Sequence, residues 1–234
     1  MKIKILTLAI SSLLCTTIAL ADNSVTATTT GSNNAITALQ QGGDLNGITI
    51  TQTSDSNTST ANQNGVNNSA TIAQASLNNS ATIDQTNDQN SAEITQQGAG
   101  SFAGTVNNVA TIEQLGTSNH ASINQKNDSL ATIYQKGDSN VANIDQHLAA
   151  SSSATVAQYG NGIQATVNQS GNFKSTAAIT QGDATHLASD SVASINQFGG
   201  SVAGSSASIS QNAVSNHASI DQYGDNLNLS LIHI

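Results

Sequence analysis

The chain has 234 residues, with 14 acidic against five basic side chains, 3% aromatic content and no proline. Its net charge of −9, with no basic patch, argues against nucleic acid and anionic membrane surfaces as partners. A chain so rich in Ser, Thr, Asn, Gln, Ala and Gly reads as disordered by composition alone, unless its polar residues recur at fixed stacking positions.

Residues 1–21 read as a secretory signal peptide. Lys2 and Lys4 form a basic start, Ile5 to Leu14 are mostly apolar, and Ala19-Leu20-Ala21 fits a small-x-small cleavage site. The apolar run is too short, and too broken by Ser and Thr, to span a bilayer. Leu14 stands before Cys15 where lipidation wants a small residue. Beyond Ala21 there is no cysteine, and three lysines (Lys126, Lys136, Lys174) face all 14 acidic residues, a formal charge of −11. The exported chain therefore takes no disulfide from the oxidising compartment it enters. Residues 22–33 read as a short N-terminal export or linker segment.

From 34 to 224 the chain repeats. Asn68, Ala70, Ile72 and Gln74 return eleven residues later as Asn79, Ala81, Ile83 and Gln85, and again as Asn90, Ala92, Ile94 and Gln96. Spacing by two puts all four side chains on one face of a β-strand. With glutamine as the marker, sixteen units end at residues from Gln40 to Gln222, among them Gln114, Gln125 and Gln146, and twelve of the fifteen intervals are 10 to 12 residues. Longer intervals follow Gln96, Gln181 and Gln197; the extra residues, such as Gly98 to Gly104, are small and polar and read as enlarged turns. Two residues after the glutamine many units carry glycine: Gly98, Gly116, Gly137, Gly160, Gly171, Gly199 and Gly224 belong to this set. Glycine accepts positive φ cheaply, so this position is a tight turn.

Strand, turn, strand, turn makes a coil. The prediction is an all-β β-solenoid (β-helix) of about eight two-strand coils, about 22 residues per coil, stacking into cross-β amyloid. Each coil buries roughly two Ala and two Ile or Val, a thin core. The inward Asn, Ser and Gln are therefore expected to form ladders in which each amide bonds its equivalents above and below. No amphipathic helix, proline-blocked strand or charged cap marks either end, which leaves open edges. In residues 225–234, Leu227, Leu229, Leu231 and His233 take the slots of Asn, Ala, Ile and Gln. That apolar terminal strand packs on the preceding coil and offers a docking face for another subunit.

The pattern Asn/Ser-x-Ala-x-Ile/Val-x-Gln-x-Gly, in units such as Asn216 to Gly224 (NHASIDQYG) and Asn140 to Gln146, resembles the curlin repeat of curli fibre subunits. The resemblance covers about residues 34 to 224. It implies export of an unfolded chain through an outer-membrane secretion channel, a nucleator subunit as partner, and self-polymerisation into a functional amyloid of the biofilm matrix with roles in adhesion and aggregation. The acidic balance is closer to the major than to the basic nucleator subunit, whereas the number of repeats and the leucine-rich end depart from the best-known members. Asp22 to Thr30 is the candidate for the family's export-directing segment.

An enzyme reading finds no support: no nucleophile has a positioned base, and no catalytic, cofactor-binding or metal residues are assigned. His120, His147, His186, His217 and His233 have no partner at metal-ligand spacing. Asp44, Asp55, Asp88, Asp128, Asp138 and Asp225 read as solvated turn residues that slow premature aggregation. The reading from another class is a soluble secreted β-solenoid binder, ice-binding or adhesin-like, encouraged by Thr71, Thr82, Thr111, Thr132, Thr155 and Thr166. Asp84, Glu93, Glu113, Tyr134 and Asp145 interrupt such a threonine face.

Overall fold

Short runs in which every second residue is Ala, Ile or Gln can bury one face only as strands, and the turns between them are too short for anything but a coil. The computed structural model describes residues 22–98, 107–147, 151–171, 174–183, 185, 187–199 and 204–233. The expected signal peptide, most of the enlarged turn after Gln96, and His186 lie outside the described residues. The strands in chain order are β1 (Ser24–Thr29), β2 (Ala35–Gln41), β3 (Gly47–Gln52), β4 (Thr58–Asn64), β5 (Ser69–Gln74), β6 (Ser80–Thr86), β7 (Ser91–Gln97), β8 (Val109–Leu115), β9 (His120–Lys126), β10 (Leu130–Lys136), β11 (Val141–His147), β12 (Ser153–Asn161), β13 (Gln164–Ser170), β14 (Thr176–Gln181), β15 (Ala188–Ser189), β16 (Val192–Phe198), β17 (Ser206–Gln211), β18 (His217–Tyr223) and β19 (Asn228–His233).

Successive strands alternate between two walls. One wall runs β1-β3-β5-β7-β9-β11-β13-β16-β18, the other β2-β4-β6-β8-β10-β12-β14-β17-β19, with β15 paired to β12 off that path. Every pair is parallel, and like residues stand opposite one another: Ala70 faces Ala92, Ile72 faces Ile94, Gln74 faces Gln96. The β-solenoid of about eight coils is thus the fold observed, since the sixteen strands that carry a marker glutamine supply two per coil. The flanking strands β1 and β19 lack the glutamine and add one strand to each wall; Thr29 and His233 stand in its slot, opposite Gln52 and Gln211.

Residues 22–33, expected as an export or linker segment, contribute β1. It is rich in β-branched residues and its burial alternates along the strand, with Val25 and Ala27 half-buried against the core opposite Ile48 and Ile50. Between the walls lie Ala, Ile and Val side chains at most 2% exposed from Ile36 to Ile209, with Ala218 in the last glutamine-bearing strand only partly buried. The irregular first units keep this filling in altered order. In β2 the large residue comes first, Ile36 before Ala38, and β4 places Ser59 and Ala61 in the same slots.

Candidate functional site

The marker glutamines of each wall form an unbroken file. Along one, Gln52 donates from Nε2 to Gln74 Oε1 at 2.9 Å, Gln74 to Gln96 at 2.9 Å, Gln96 to Gln125 at 3.0 Å, and so on to Gln197 and Gln222 at 2.8 Å. Along the other, Gln40 donates to Gln63, Gln63 to Gln85 and Gln85 to Gln114, ending with Gln181 to Gln211. Every donation runs from the earlier coil to the later one. The second amide hydrogen crosses to the facing wall: Gln74 reaches the Thr58 carbonyl, Gln85 that of Ser69 and Gln96 that of Ser80, each at 3.0 Å. One side chain therefore ties coil to coil and wall to wall. Gln146 and Gln222 do the same with the carbonyls of Leu130 and Ser206.

The asparagines work differently from the expected amide-on-amide stack. Asn68 Oδ1 accepts the backbone N–H of Asn90 at 2.9 Å, and Asn68 Nδ2 donates to the Asn87 carbonyl in the turn of the next coil at 2.7 Å. Asn90 repeats the arrangement with Asn119 N and the Gly116 carbonyl. The side chain is one methylene shorter than glutamine, so its amide stays beside the backbone and fastens the strand entrance to the adjacent turn. Asn79 turns its Nδ2 onto Ser76, at 2.8 Å from both carbonyl and hydroxyl, although Asn108 Nδ2 does reach Asn79 Oδ1 at 3.1 Å. Serine supplies the acceptor in later coils, as in Ser175 N to Ser152 Oγ at 3.2 Å. In the other wall Asn140 Oδ1 takes the N–H of Ile163, which has no side-chain acceptor of its own, and the row resumes with Asn216 N on Ser191 Oγ at 3.2 Å.

The turns carry two unusual backbone positions. Gly116, Gly137, Gly160, Gly171 and Gly224 have φ between 68° and 135°, whereas Gly98 follows β7 and Gly199 donates its N–H to the Ser170 carbonyl at 3.3 Å. Close stacking matters as much as φ. A Cβ on Gly137 would run into the carbonyl of Gly160 in the next coil. The second position, one residue before the inward Asn or Ser, is left-handed without glycine: Leu45 (φ 63°), Ser56 (59°), Asn67 (58°), Asn78 (56°), Gln89 (59°), Ser118 (59°) and Ser139 (58°). The enrichment of Asn and Ser at that point was the available signal.

Residues 127–160, which contain β10, β11 and most of β12, match the family model of the curlin associated repeat. Residues 127–160 are a curlin associated repeat. Register extends the matched slots to the rest of the solenoid, because β8 and β14 stand opposite β10 and β12 with Ala on Ala, Ile on Ile or Val, and Gln on Gln. No curated protein and no solved structure matches the chain.

Around the core the turn aspartates take part in the stack. Asp88 Oδ1 accepts the N–H of Val66 at 2.8 Å, Asp138 Oδ1 that of Thr117 at 2.9 Å, and Asp55 Oδ1 that of Ser32 at 2.5 Å. They bond to the preceding turn as well as facing water. The threonines divide between the walls: Thr37, Thr60, Thr82, Thr111, Thr132 and Thr155 stand opposite one another in one outward file, whereas Thr71 and Thr166 lie on the other wall. Beside that file run Leu39, Asn62, Asp84, Glu113 and Tyr134, a mixed row in which Asn62 Nδ2 donates to Asp84 Oδ1 at 2.5 Å. Among the described residues no three His, Cys, Asp or Glu side chains come together as a metal site.

At the ends, β1 and β2 on one side and β18 and β19 on the other have no strand beyond them among the described residues. Leu227, Leu229 and Leu231 remain exposed there, Leu229 by 50%, in slots that are closed elsewhere in the solenoid. At the opposite end Gln52 Oε1 is buried without a partner, because Thr29 beneath it carries no amide to donate.

Proposed function

We propose that the protein is a secreted structural subunit that polymerises with copies of itself into extracellular, curli-like functional amyloid fibres, serving biofilm matrix, adhesion and cell aggregation at the cell surface. The observation that carries this reading is the pair of one-directional glutamine files running through a parallel, in-register solenoid whose end strands are open. A strand added to such an end extends the parallel backbone ladder already made inside, with strand spacing near 4.8 Å. The curlin repeat supports the same role. A nucleator subunit and an outer-membrane secretion channel are the partners this reading implies. Its acidic charge favours the major-subunit role, and the chain acts without catalysis or cofactor.

Incubating the purified chain without residues 1–21 at micromolar concentration tests the proposal. Fibres with a cross-β meridional spacing are the expected result; monomer persisting for days would overturn it. The soluble binder with a flat face is the second reading, favoured by the threonine file from Thr37 to Thr155. Persistent monomer would favour it.

A further inference from the structure

Tyr134 and Tyr159 form the one tyrosine pair in ring contact among the described residues, with centroids 5.3 Å apart and planes inclined at 42°. The register explains the meeting. Tyr134 on β10 stands opposite Ala157 on β12, whose small side chain leaves room for Tyr159, two residues further along the same face, to lean in. Both rings are half-buried, so their outer edges meet water. Beyond Ala21 the chain has no cysteine, methionine or tryptophan. Tyrosine is then its foremost one-electron donor toward an oxidant. The third tyrosine, Tyr223, is 72% exposed and stacks on Phe198 at 5.4 Å, which offers it no phenol to couple with.

We propose that Tyr134 and Tyr159 are an oxidative cross-linking site, at which a peroxide acting through a one-electron peroxidase joins neighbouring coils by a dityrosine bond. Each phenol gives up one electron and one proton, and the two phenoxyl radicals couple through their ortho carbons. The hydrogens on those carbons then move to the oxygens and restore two phenols. The peroxide takes up two electrons and two protons and leaves as two waters. Bond formation asks the rings to close by on the order of 1 Å, within ordinary side-chain excursions. The bond ties β10 to β12 across a loop of about 25 residues that holds all of β11, the topological effect that a disulfide has in cysteine-bearing chains. It staples one coil to the next inside a single subunit.

The test treats the folded chain lacking residues 1–21 with hydrogen peroxide and a haem peroxidase, then digests it with trypsin. Cleavage at Lys126, Lys136 and Lys174 separates Tyr134 from Tyr159 into the peptides 127–136 and 137–174. The expected product is these two peptides joined at their summed mass less two hydrogens, with dityrosine fluorescence. Mixing unlabelled and 15N-labelled chains should give no mixed-label product. The product should be retained in Tyr223→Phe, lost in Tyr134→Phe and Tyr159→Phe, and reduced at least tenfold when oxidation is run on urea-unfolded chain. Circular dichroism confirms that the variants are folded. Equal yield from unfolded chain, a mixed-label product, or coupling that depends on Tyr223 would each overturn the proposal.

Discussion

Gln96 donates to Gln125 Oε1 at 3.0 Å although the two are 29 positions apart in the chain, against 22 for Gln74 and Gln96. The extra residues leave the file unbroken, so the spacing of side chains across the stack is set by the coil below and not by the length of the connection. Deleting seven residues from the segment 99–106 should leave the urea midpoint nearly unchanged, since loop length enters closure entropy only logarithmically, about 0.6 kcal/mol per doubling. A large loss of stability on equilibrium unfolding would show that the long turn holds the register.

Replacing Gln74, Gln85 and Gln96 with alanine should slow fibre growth far more than replacing Thr71, Asp84 and Thr95. In the files the triple glutamine variant leaves the donors of Gln52 and Gln63 and the acceptors of Gln125 and Gln114 buried without their partners, at about 1–3 kcal/mol per group. The outward residues give up contacts that water replaces. Thioflavin kinetics on the two triple variants provide the comparison, and equal effects would contradict the inward assignment.

Two glycines should respond in opposite senses. Gly137→Ala places a Cβ against the Gly160 carbonyl at φ 115° and should cost at least about 2 kcal/mol. Gly47→Ala, inside β3, meets only Ser24 Oγ at 3.7 Å and should stabilise the fold by about 0.5–1 kcal/mol. Denaturant midpoints of both variants distinguish close stacking from a mere preference for flexible turns.

Leu45→Gly should also stabilise. The leucine is 59% exposed and left-handed, φ 63°, so it pays a backbone penalty and returns little burial. Relief of about 1 kcal/mol is expected in urea unfolding.

Burial raises the phenol of Tyr134 above its ordinary range, and the charges of Tyr159 and Glu113 add to the effect. The folded chain thus holds this proton more tightly than the unfolded chain. Its contribution to stability is complete below the unfolded value, near 10, and is lost as pH rises through the folded one. Alkaline titration followed by tyrosinate absorbance should show a fraction ionising later than in urea, and Glu113→Gln should bring it part of the way back.

Much of this was legible because two periods coincide. Alternation along a strand told inward from outward residues, and recurrence near eleven placed Ala on Ala and Gln on Gln. What escaped was local geometry with no repeated letter. β1 lacks the marker Gln and carries Val and Ala in reverse order of size, so SVTATT did not read as a member of the series, although Asn23 fills the asparagine slot before it, taking the N–H of Asn46 onto Oδ1 at 2.8 Å, and Val25 and Ala27 pack inward. The left-handed residue before each Asn was hidden because Leu, Ser, Asn and Gln all occupy it. The different tasks of Asn68 and Gln74 follow from one methylene, which a pattern of polar letters does not distinguish.

The uniform direction of donation has a further consequence. Eight aligned amides in each file act as a train of dipoles, each polarising the next. Their sum gives the molecule an electrical arrow, with carbonyl oxygen foremost at Gln40 and Gln52 and amide hydrogen foremost at Gln211 and Gln222. On the open end strands this leaves Gln40 with its oxygen outward at one end and Gln222 with its amide nitrogen outward at the other, so the two ends are chemically unlike. In the proposed fibre the two tips would be unlike, and they are expected to elongate at different speeds.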